Sequence, residues 1–356
     1  MKSTYALIMA GGVGSRFWPK SRKSLPKQYI NLLGTETMIQ TVAHRIRKLI
    51  SDERIHIVTT EEQHALIEAQ LPWFPSQNII FEPFGKNTAP CIGLAAIHIL
   101  RREPNAVMIV LPADHLIVDS SKFLDILQRG VALIRKYPRA LATIGIVPHY
   151  AATGYGYIQR GERLDNGIYR ITAFTEKPEL QDAESFYQSG LYYWNSGVFI
   201  WRADTILESI AKFMPDLSDG LTEIKKSLDS DERSDVVRSV YHNLLPQSID
   251  YGVMEKVRDA YVLEGDFGWS DVGSWEEVYK ISSKDQNGNV IHGCPIIKDV
   301  NNTLIEIGQR AVAVIGVNNL IVVDTPDALL ICNRDNSQDV KWVVEKLKKD
   351  NLEKHL

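Results

Sequence analysis

Cysteine is nearly missing: Cys91, Cys294 and Cys332 stand far apart in a chain of 356 residues, with no Cys-x-x-Cys and no histidine at metal-ligand spacing. So sparse and odd a set excludes a disulfide framework and predicts buried thiols in a reducing compartment. Long apolar runs are missing too. The segment after Lys2 is about six residues, short of the ~7–15 of a signal-peptide core and the ~20 of a membrane span, so a cytoplasmic protein with no membrane association is expected. Neither charge dominates, with Lys+Arg at 40 and Asp+Glu at 44. That mildly acidic balance gives no reason to expect a nucleic-acid partner.

Two well-known phosphate fingerprints are absent as well. The apolar run 5–9 stops abruptly at Ala10, Gly11, Gly12, Val13 and Gly14. Small residues there let the backbone turn at positive φ and bring its N–H groups close to a ligand. No Gly-Lys-Ser or Gly-Lys-Thr follows, which excludes a P-loop, and Phe17 stands where a dinucleotide fingerprint needs its third glycine. What does follow is a dense set of donors and positive charge: Ser15, Arg16, Lys20, Arg22, Lys23 and Lys27. Such a set suits a polyphosphate better than a single carboxylate. A strand running into an anion cradle is expected, with phosphate as its ligand.

Composition is otherwise that of an ordinary globular chain, 44% hydrophobic and 24% charged, and the length suggests about two domains. Met38, Ile39, Val42, Ile46 and Leu49 recur at helical spacing and predict an amphipathic helix over 37–50. A β-rich run at 55–58 and a helical pattern through Ala65, Leu66, Ala69 and Leu71 follow. Strands at 79–81, 107–111 and 142–146 then alternate with helices at 88–100 and 121–137. Near-continuous apolar strands separated by helices predict an α/β fold with a mainly parallel sheet covered on both faces. Ligands of such a sheet gather at the carboxyl ends of the strands. That singles out the glycine loop after the first strand, Glu82 to Asn87 after the third, and Pro112 to Asp114 after the fourth.

Thr88 is expected to cap the helix after Asn87, with Pro90 in its first turn. Asp114, a carboxylate just past a buried strand, suits Mg²⁺, a hard cation that keeps waters and substrate phosphates in its shell. Ser120 is the better cap for the helix beyond it. Gly154, Tyr155 and Gly156 read as a hairpin or bulge, or as a close backbone approach to a sugar. Asn195, expected at the start of an apolar strand, offers donor and acceptor to hydroxyls, or an Asx-turn. Helical patterns surround 204–213 and 235–241. Asp271 lies in a glycine- and tryptophan-rich stretch at 265–275, where no regular element explains it. Beyond 284 the texture changes to short β-rich runs at 302–307, 311–315, 320–324 and 328–332, punctuated by Asn, Gly and Pro. A last amphipathic helix passes through Val340, Val343, Val344 and Leu347. The expected division is a catalytic domain at 1–284 and a small β domain at 285–356.

The string Gly11-Gly12-x-Gly14-Ser15-Arg16-Phe17-x-Pro19, followed by Pro26-Lys27, resembles the N-terminal signature of the sugar-1-phosphate nucleotidylyltransferase family. Trp18 and Gln28 make it similar to the mannose-1-phosphate guanylyltransferase branch. Asn87-Thr88-Ala89-Pro90, Pro112-Ala113-Asp114, Glu176-Lys177-Pro178, the 249–255 segment and Trp269-Ser270-Asp271-Val272-Gly273 extend the resemblance along nearly the whole chain. It implies a Rossmann-like (GT-A-like) mixed sheet and a left-handed β-helix-like C-terminal domain that packs on it and assists a homodimer. Larger relatives continue into a cupin-type isomerase domain, which a chain ending at Leu356 is expected to lack.

The implied reaction converts GTP and mannose 1-phosphate to GDP-mannose and pyrophosphate by in-line attack on the α-phosphate. Mg²⁺, or another divalent cation, would be held by Asp114 and Asp271. The resemblance places Ala10, Gly11, Gly12, Gly14, Ser15 and Arg16 on the triphosphate, and Lys27 on the α-phosphate or the sugar phosphate. It places Glu82, Asn87, Thr88 and Pro112 around the nucleotide. Tyr155, Gly156, Glu176, Lys177, Asn195 and Asp271 would surround the hexose. The same chemistry on another sugar, such as a heptose 1-phosphate, or with UTP, is an alternative. A non-catalytic paralogue that binds GDP-mannose is another, against which the joint presence of Arg16, Lys27, Asp114 and Asp271 argues.

Overall fold

A computed structural model describes every residue except Val13, which the cradle reading included and which lies outside the described residues. The chain divides into two compact units, each assembled from separate stretches. One comprises Met1–Gly11, Val42–Ala113 and Ile117–Trp269, and the other Gly12–Thr41, Asp114–Leu116 and Ser270–Leu356.

The first unit is built on a nine-stranded mixed sheet. Strands β1 (Thr4–Met9), β2 (Ile55–Thr60), β3 (Ile79–Glu82) and β4 (Val107–Pro112) pair in parallel in the spatial order β3-β2-β1-β4. Parallel neighbours need crossovers, and α1 (Met38–Ile46), α2 (His64–Gln70) and α3 (Thr88–Arg102) occupy the connections. The chain moves outward from β1 to β3 and then returns to the far side of β1 with β4. That reversal opens a crevice at the carboxyl ends of β1 and β4, where the Ala113 N–H donates to the Met9 carbonyl at 3.0 Å.

The two-residue strand β5 (Leu116–Ile117) is followed by α4 (Ser120–Lys136), β6 (Leu141–Ile146) and the hairpin β7 (Tyr157–Asp165) and β8 (Ile168–Thr175). Next come α5 (Leu180–Ser189), β9 (Tyr192–Arg202), α6 (Ala203–Phe213), α7 (Pro215–Ser227), α8 (Arg233–Asn243) and β10 (Ala260–Gly265). β9 enters antiparallel between β4 and β6, and the sheet continues β6-β10-β8-β7. Residues of α3, α6, α7 and α8 share one buried cluster with the sheet, including Leu7, Ile92, Ile206, Leu221 and Tyr241.

Two local expectations are corrected and a third is relocated. Asn87, at φ 74°, caps α3 in place of Thr88, its Oδ1 accepting from the Thr88 N–H at 2.8 Å. Asp119 caps α4 in place of Ser120, accepting from the Lys122 N–H at 3.0 Å. In both cases a short side-chain oxygen one residue upstream reaches the free N–H. Asn195 lies inside β9, where the register against β6 shifts between Thr143 and Gly145. Its Oδ1 accepts from the Gly197 N–H at 3.2 Å, so the expected Asx-turn is present, set within the bulged strand and not before it.

The second unit carries β11 (Trp269–Ser270) at its boundary, then α9 (Trp275–Ile281), β12 (Val290–His292), β13 (Ile296–Lys298), β14 (Leu304–Glu306), β15 (Ala313–Ile315), β16 (Leu320–Asp324), β17 (Leu329–Asn333) and α10 (Val340–Lys349). β12, β14 and β16 stack in parallel, as do β13 and β15, while β17 returns antiparallel. Successive strands stacking on the one before make a short β-helix-like coil. Its asparagines hold the turns: buried Asn289 donates to the Val300 carbonyl at 2.9 Å and accepts from the Thr303 N–H at 3.0 Å. The core of this unit takes in the N-terminal loop, since Phe17, Trp18 and Ile30 cluster with Trp275, Leu304, Ile321 and Val340.

Candidate active site

In the second unit the site starts from a glycine. Gly14 has φ 70° and ψ 46° and leads into a single 3-10 turn, Ser15–Phe17. A side chain is excluded there twice, by the left-handed backbone and because a Cβ would lie 2.3 Å from the Lys27 Cβ. That close approach pins the Lys27 stem. Its buried ammonium donates to Asp114 Oδ2 at 3.0 Å and to the main-chain oxygen of Asp271 at 2.6 Å. Two acidic residues far apart in sequence therefore meet at one cation. Surrounding protein alone would raise the Asp114 carboxyl, but the Lys27 ammonium and then His115, 3.8 Å away, outweigh it and hold the group below the usual carboxylate range.

Asp271 is set by the residue after it. Val272 has φ 46°, an outlying conformation for a β-branched residue that costs about 1–3 kcal/mol. Its isopropyl group is fully buried in the cluster of Phe17, Met38 and Trp275, worth roughly 1.5–3 kcal/mol, so packing offsets the strain. The resulting turn lays the Asp271 carboxylate over Gly273, where a Cβ would be 3.1 Å from Oδ2.

The basic loop divides into two sets. Arg16 is exposed and makes no ion pair with any described residue. Lys20 pairs with Glu306 at 2.6 Å and Arg22 with Asp327 at 2.9 Å. These two fasten the loop to the β-coil, which corrects the reading of the whole set as phosphate donors. Trp18 does the same, its Nε1 donating to the His355 carbonyl at 2.9 Å and its carbonyl accepting from Trp275 Nε1 at 3.1 Å.

In the first unit, Ala10 ends β1 firmly: its N–H donates to the Val58 carbonyl at 2.8 Å and its carbonyl accepts from Thr59 Oγ1 at 3.1 Å. Gly11 follows, exposed, with the Glu82 carboxylate beside it; a Cβ on Gly11 would lie 3.8 Å from Oε2. Glu82 is only 2% exposed. Burial pushes its carboxyl up to about 7, against the lowering effect of the Tyr241 hydroxyl, which donates to Oε1 at 3.0 Å. Beyond it, Thr88 Oγ1 accepts from the Ile249 N–H at 2.8 Å, and Lys86 Nζ donates to the Leu244 carbonyl at 2.6 Å. Pro112, half-buried, lies opposite Met9 in the β1–β4 register.

A second cluster in this unit gathers Gly156, Glu176 and Asn195. A Cβ on Gly156 would be 2.3 Å from Glu176 Oε2 and 3.3 Å from the Asn195 Cβ, and the Asn195 N–H donates to the Gly156 carbonyl at 2.8 Å. Asn195 also donates from Nδ2 to Asp250 Oδ1 at 2.8 Å. Burial and then the Glu176 charge push the Asp250 carboxyl up to about 6. Lys177, at φ 49°, pairs with Glu176 at 2.7 Å and points outward. Tyr155 stacks edge-on to Trp194 and Trp269, with ring centroids 5.0 and 5.3 Å away, and the buried Trp194 Nε1 has no hydrogen-bond partner among the described residues.

A nucleotidyl transferase family model matches residues 5–288. The chain belongs to the nucleotidyl transferase family. A second model, described as a MannoseP isomerase/GMP-like beta-helix domain, matches residues 295–347 within the coil. The mannose-1-phosphate guanylyltransferase of Klebsiella pneumoniae is 42% identical over 355 residues, 97% of this chain and 74% of that protein. Its counterpart from Escherichia coli K12 is 40% identical over 362 residues, 99% and 75% of the two chains. A crystal structure from Thermus thermophilus, described as a mannose-1-phosphate geranyltransferase, superposes with a TM-score of 0.88 at 30% identity, covering 97% of this chain and 99% of that one.

Nucleotidyl transferases of this kind act on a nucleoside triphosphate and a sugar 1-phosphate, generally with a divalent metal. Among the described residues of this nucleotidyl transferase, no group of three or more His, Cys, Asp and Glu gathers to hold an ion by protein alone. Asp114 meets the Lys27 ammonium through its carboxylate and Asp271 through its main-chain oxygen; two such oxygen donors suit a hard cation that takes the rest of its shell from phosphate and water. No described helix is long and apolar enough to cross a membrane. Sequence reasoning missed Tyr241 and Asp250 as partners of site residues. Tyr241 gives no signal beyond an apolar position in a helix, whereas Asp250 begins a single π-helical turn, Asp250–Met254, within the 249–255 segment already singled out.

Proposed function

We propose that this nucleotidyl transferase makes GDP-mannose and pyrophosphate from GTP and mannose 1-phosphate. The observation that carries the reading is the Lys27 ammonium joining Asp114 to Asp271 beside the Gly14 turn, in a chain about two-fifths identical to guanylyltransferases of mannose 1-phosphate. The attacking group is already an anion, so no side-chain nucleophile is required; the protein must neutralise charge and align the reactants. Lys27 does so at the α-phosphate or sugar phosphate, and Arg16 with the Gly11, Gly12, Gly14 and Ser15 backbone at the departing pyrophosphate. Asp114 and Asp271 would hold a divalent cation, which would supply further charge neutralisation on the phosphates. Residues 1–284 carry this chemistry and 285–356 form the β-helix-like domain, a division supported by one family model ending at 288 and the other beginning at 295. Pyrophosphate release, assayed over a panel of triphosphates and sugar 1-phosphates, tests the reading; preference for UTP or for a sugar other than mannose overturns it.

Glu82 gives the nucleotide choice a pH signature. An ionised carboxylate only accepts, which suits the adjacent N–H groups of guanine's Watson–Crick edge. With the Glu82 carboxyl at about 7, kcat/KM for GTP rises as pH increases through that value. Glu82→Gln flattens the profile and lowers GTP preference by roughly tenfold or more, because its amide N–H groups face donors. Stability runs the other way: a raised carboxyl holds its proton in the folded state, so that contribution is present at low pH and lost as pH rises through about 7. A GTP profile unchanged by the substitution would remove Glu82 from the base pocket.

Glu176, with Asn195 and Asp250 behind it, is the carboxylate offered to hexose hydroxyls, while Tyr155 and Gly156 line the approach and Lys177 lies near the sugar phosphate. Gly156→Ala has no room without moving Glu176 Oε2, which a Cβ would meet at 2.3 Å. It should raise KM for mannose 1-phosphate about tenfold with little change in KM for GTP. Equal effects on both substrates would contradict this placement.

A further inference from the structure

A second cationic cavity lies in the first unit, and none of its lining residues is among those assigned above. It encloses about 750 Å³ between the outer edge of β3, the last turn of α3 and the first turn of α8. That volume is in the range of small-molecule sites. Arg101, Arg102 and Arg233 line it together with His98, and Glu61 is the only carboxylate in the lining. Glu61 is already paired with Arg238, and Arg101 with Asp229. Arg102 donates to Asn78 Oδ1 at 2.6 Å, while the Arg233 guanidinium meets no carboxylate among the described residues. His98 reports the field inside: burial, then Arg233, Arg101 and Arg102, lower its imidazole to about 4, with no acidic group opposing them. His56 is similarly lowered to about 3 by burial and then by Arg102 and His98.

The rest of the lining is suited to a ring. The Phe81 and His64 side chains meet edge to face with centroids 4.6 Å apart, and Ile79, Leu94 and Val237 add apolar surface. β3 ends the sheet, so its outer main-chain N–H and C=O groups have no strand partner and can read a heterocycle. We propose that this cavity binds a nucleoside phosphate, with the three arginines on the phosphates and the β3 edge with Phe81 on the base. Its phosphate end lies at Arg102, which α3 puts about 22 Å from Thr88, while Phe81 on its wall directly precedes Glu82 in β3.

Hydrogen–deuterium exchange on the full chain with GDP as probe tests the proposal, and it does not depend on which sugar the enzyme uses. GDP should protect peptides spanning 98–102 and 230–238 as well as the 10–28 loop. In the double variant Arg101→Glu, Arg233→Glu, protection of 230–238 should need at least about tenfold more GDP, since charge-assisted bonds are lost. Protection of 10–28 should persist, which also reports an intact fold. No GDP protection of 230–238 in the unsubstituted chain, or undiminished protection in the double variant, overturns the proposal. So does equal protection by inorganic pyrophosphate, which would show that the nucleoside is not read.

Discussion

Replacing Asp114 with asparagine lowers kcat for pyrophosphate release by about a thousandfold while the chain stays folded. Asparagine keeps the shape and leaves Oδ1 to accept from Lys27, as Oδ2 does at 3.0 Å. What disappears is one negative charge at the point where Lys27 and a divalent cation are to be arranged. KM should change much less than kcat, because that charge matters most as the phosphates redistribute theirs. The carboxyl is held below its ordinary value, so it is ionised at neutral pH and contributes stability there. That contribution is lost as pH falls from the ordinary carboxylate value through the lower folded one, so any Tm difference between the two proteins present at pH 7 should shrink as pH drops below about 4. Asp114 is 38% exposed, and screening keeps the difference within about 1 kcal/mol. A variant that releases pyrophosphate within tenfold of the unsubstituted rate would remove Asp114 from the chemistry.

The parallel half of the sheet was legible because burial on both faces leaves a simple trace: β1 and β4 are almost unbroken apolar runs, β2 is β-branched apart from His56, and the helices between them alternate at 3.6. The antiparallel half was harder. β7 reads Tyr157–Asp165 with its second half exposed, so no apolar alternation marks it. α5 buries only Ala183, and α7 carries Pro215 and Gly220, residues that punctuate chains more often than they build helices, although a proline at N1 is a proper helix start. β12 and β13 are three residues each and fall below any periodicity.

At the site, identity was easier to read than role. Asn87, Thr88 and Asn195 were chosen as ligand contacts, and each is committed to structure: Asn87 caps α3, Thr88 accepts from Ile249, and Asn195 holds both Asp250 and the β9 bulge. For Thr88 and Asn195 no spacing in sequence reveals such pairings, because the partners, Ile249 and Asp250, come from the turn beyond α8. The backbone offers a different trace. Lys177 and Val272, two of the few residues other than Gly, Asn and Asp at positive φ, each directly follow a candidate acid, Glu176 and Asp271. Strain of that kind persists where surrounding structure over-determines it. At Val272 the surrounding structure is the core shared by the basic loop and the β-coil, so the residues that fix Asp271 are the ones that anchor Trp18.

Lys27→Met isolates the lysine's charge. Methionine keeps an unbranched stem of similar length, which the Gly14 contact needs, and only the ammonium is lost. kcat should fall about a hundredfold or more, with smaller changes in either KM, since charge at the transferring phosphate is neutralised mainly in the transition state. Lys27→Arg should rescue little, because the larger guanidinium must fit where the ammonium already meets Asp114 Oδ2, the Asp271 carbonyl and, at 5.5 Å, the Phe17 ring. Combination with Asp114→Asn is the sharper measurement. Groups in direct contact couple by about 0.5–3 kcal/mol, so the double variant should be several-fold or more faster than the product of the two single losses. Strictly multiplicative losses would mean that Lys27 and Asp114 act on separate parts of the reaction, and that their contact in the free protein has no part in turnover.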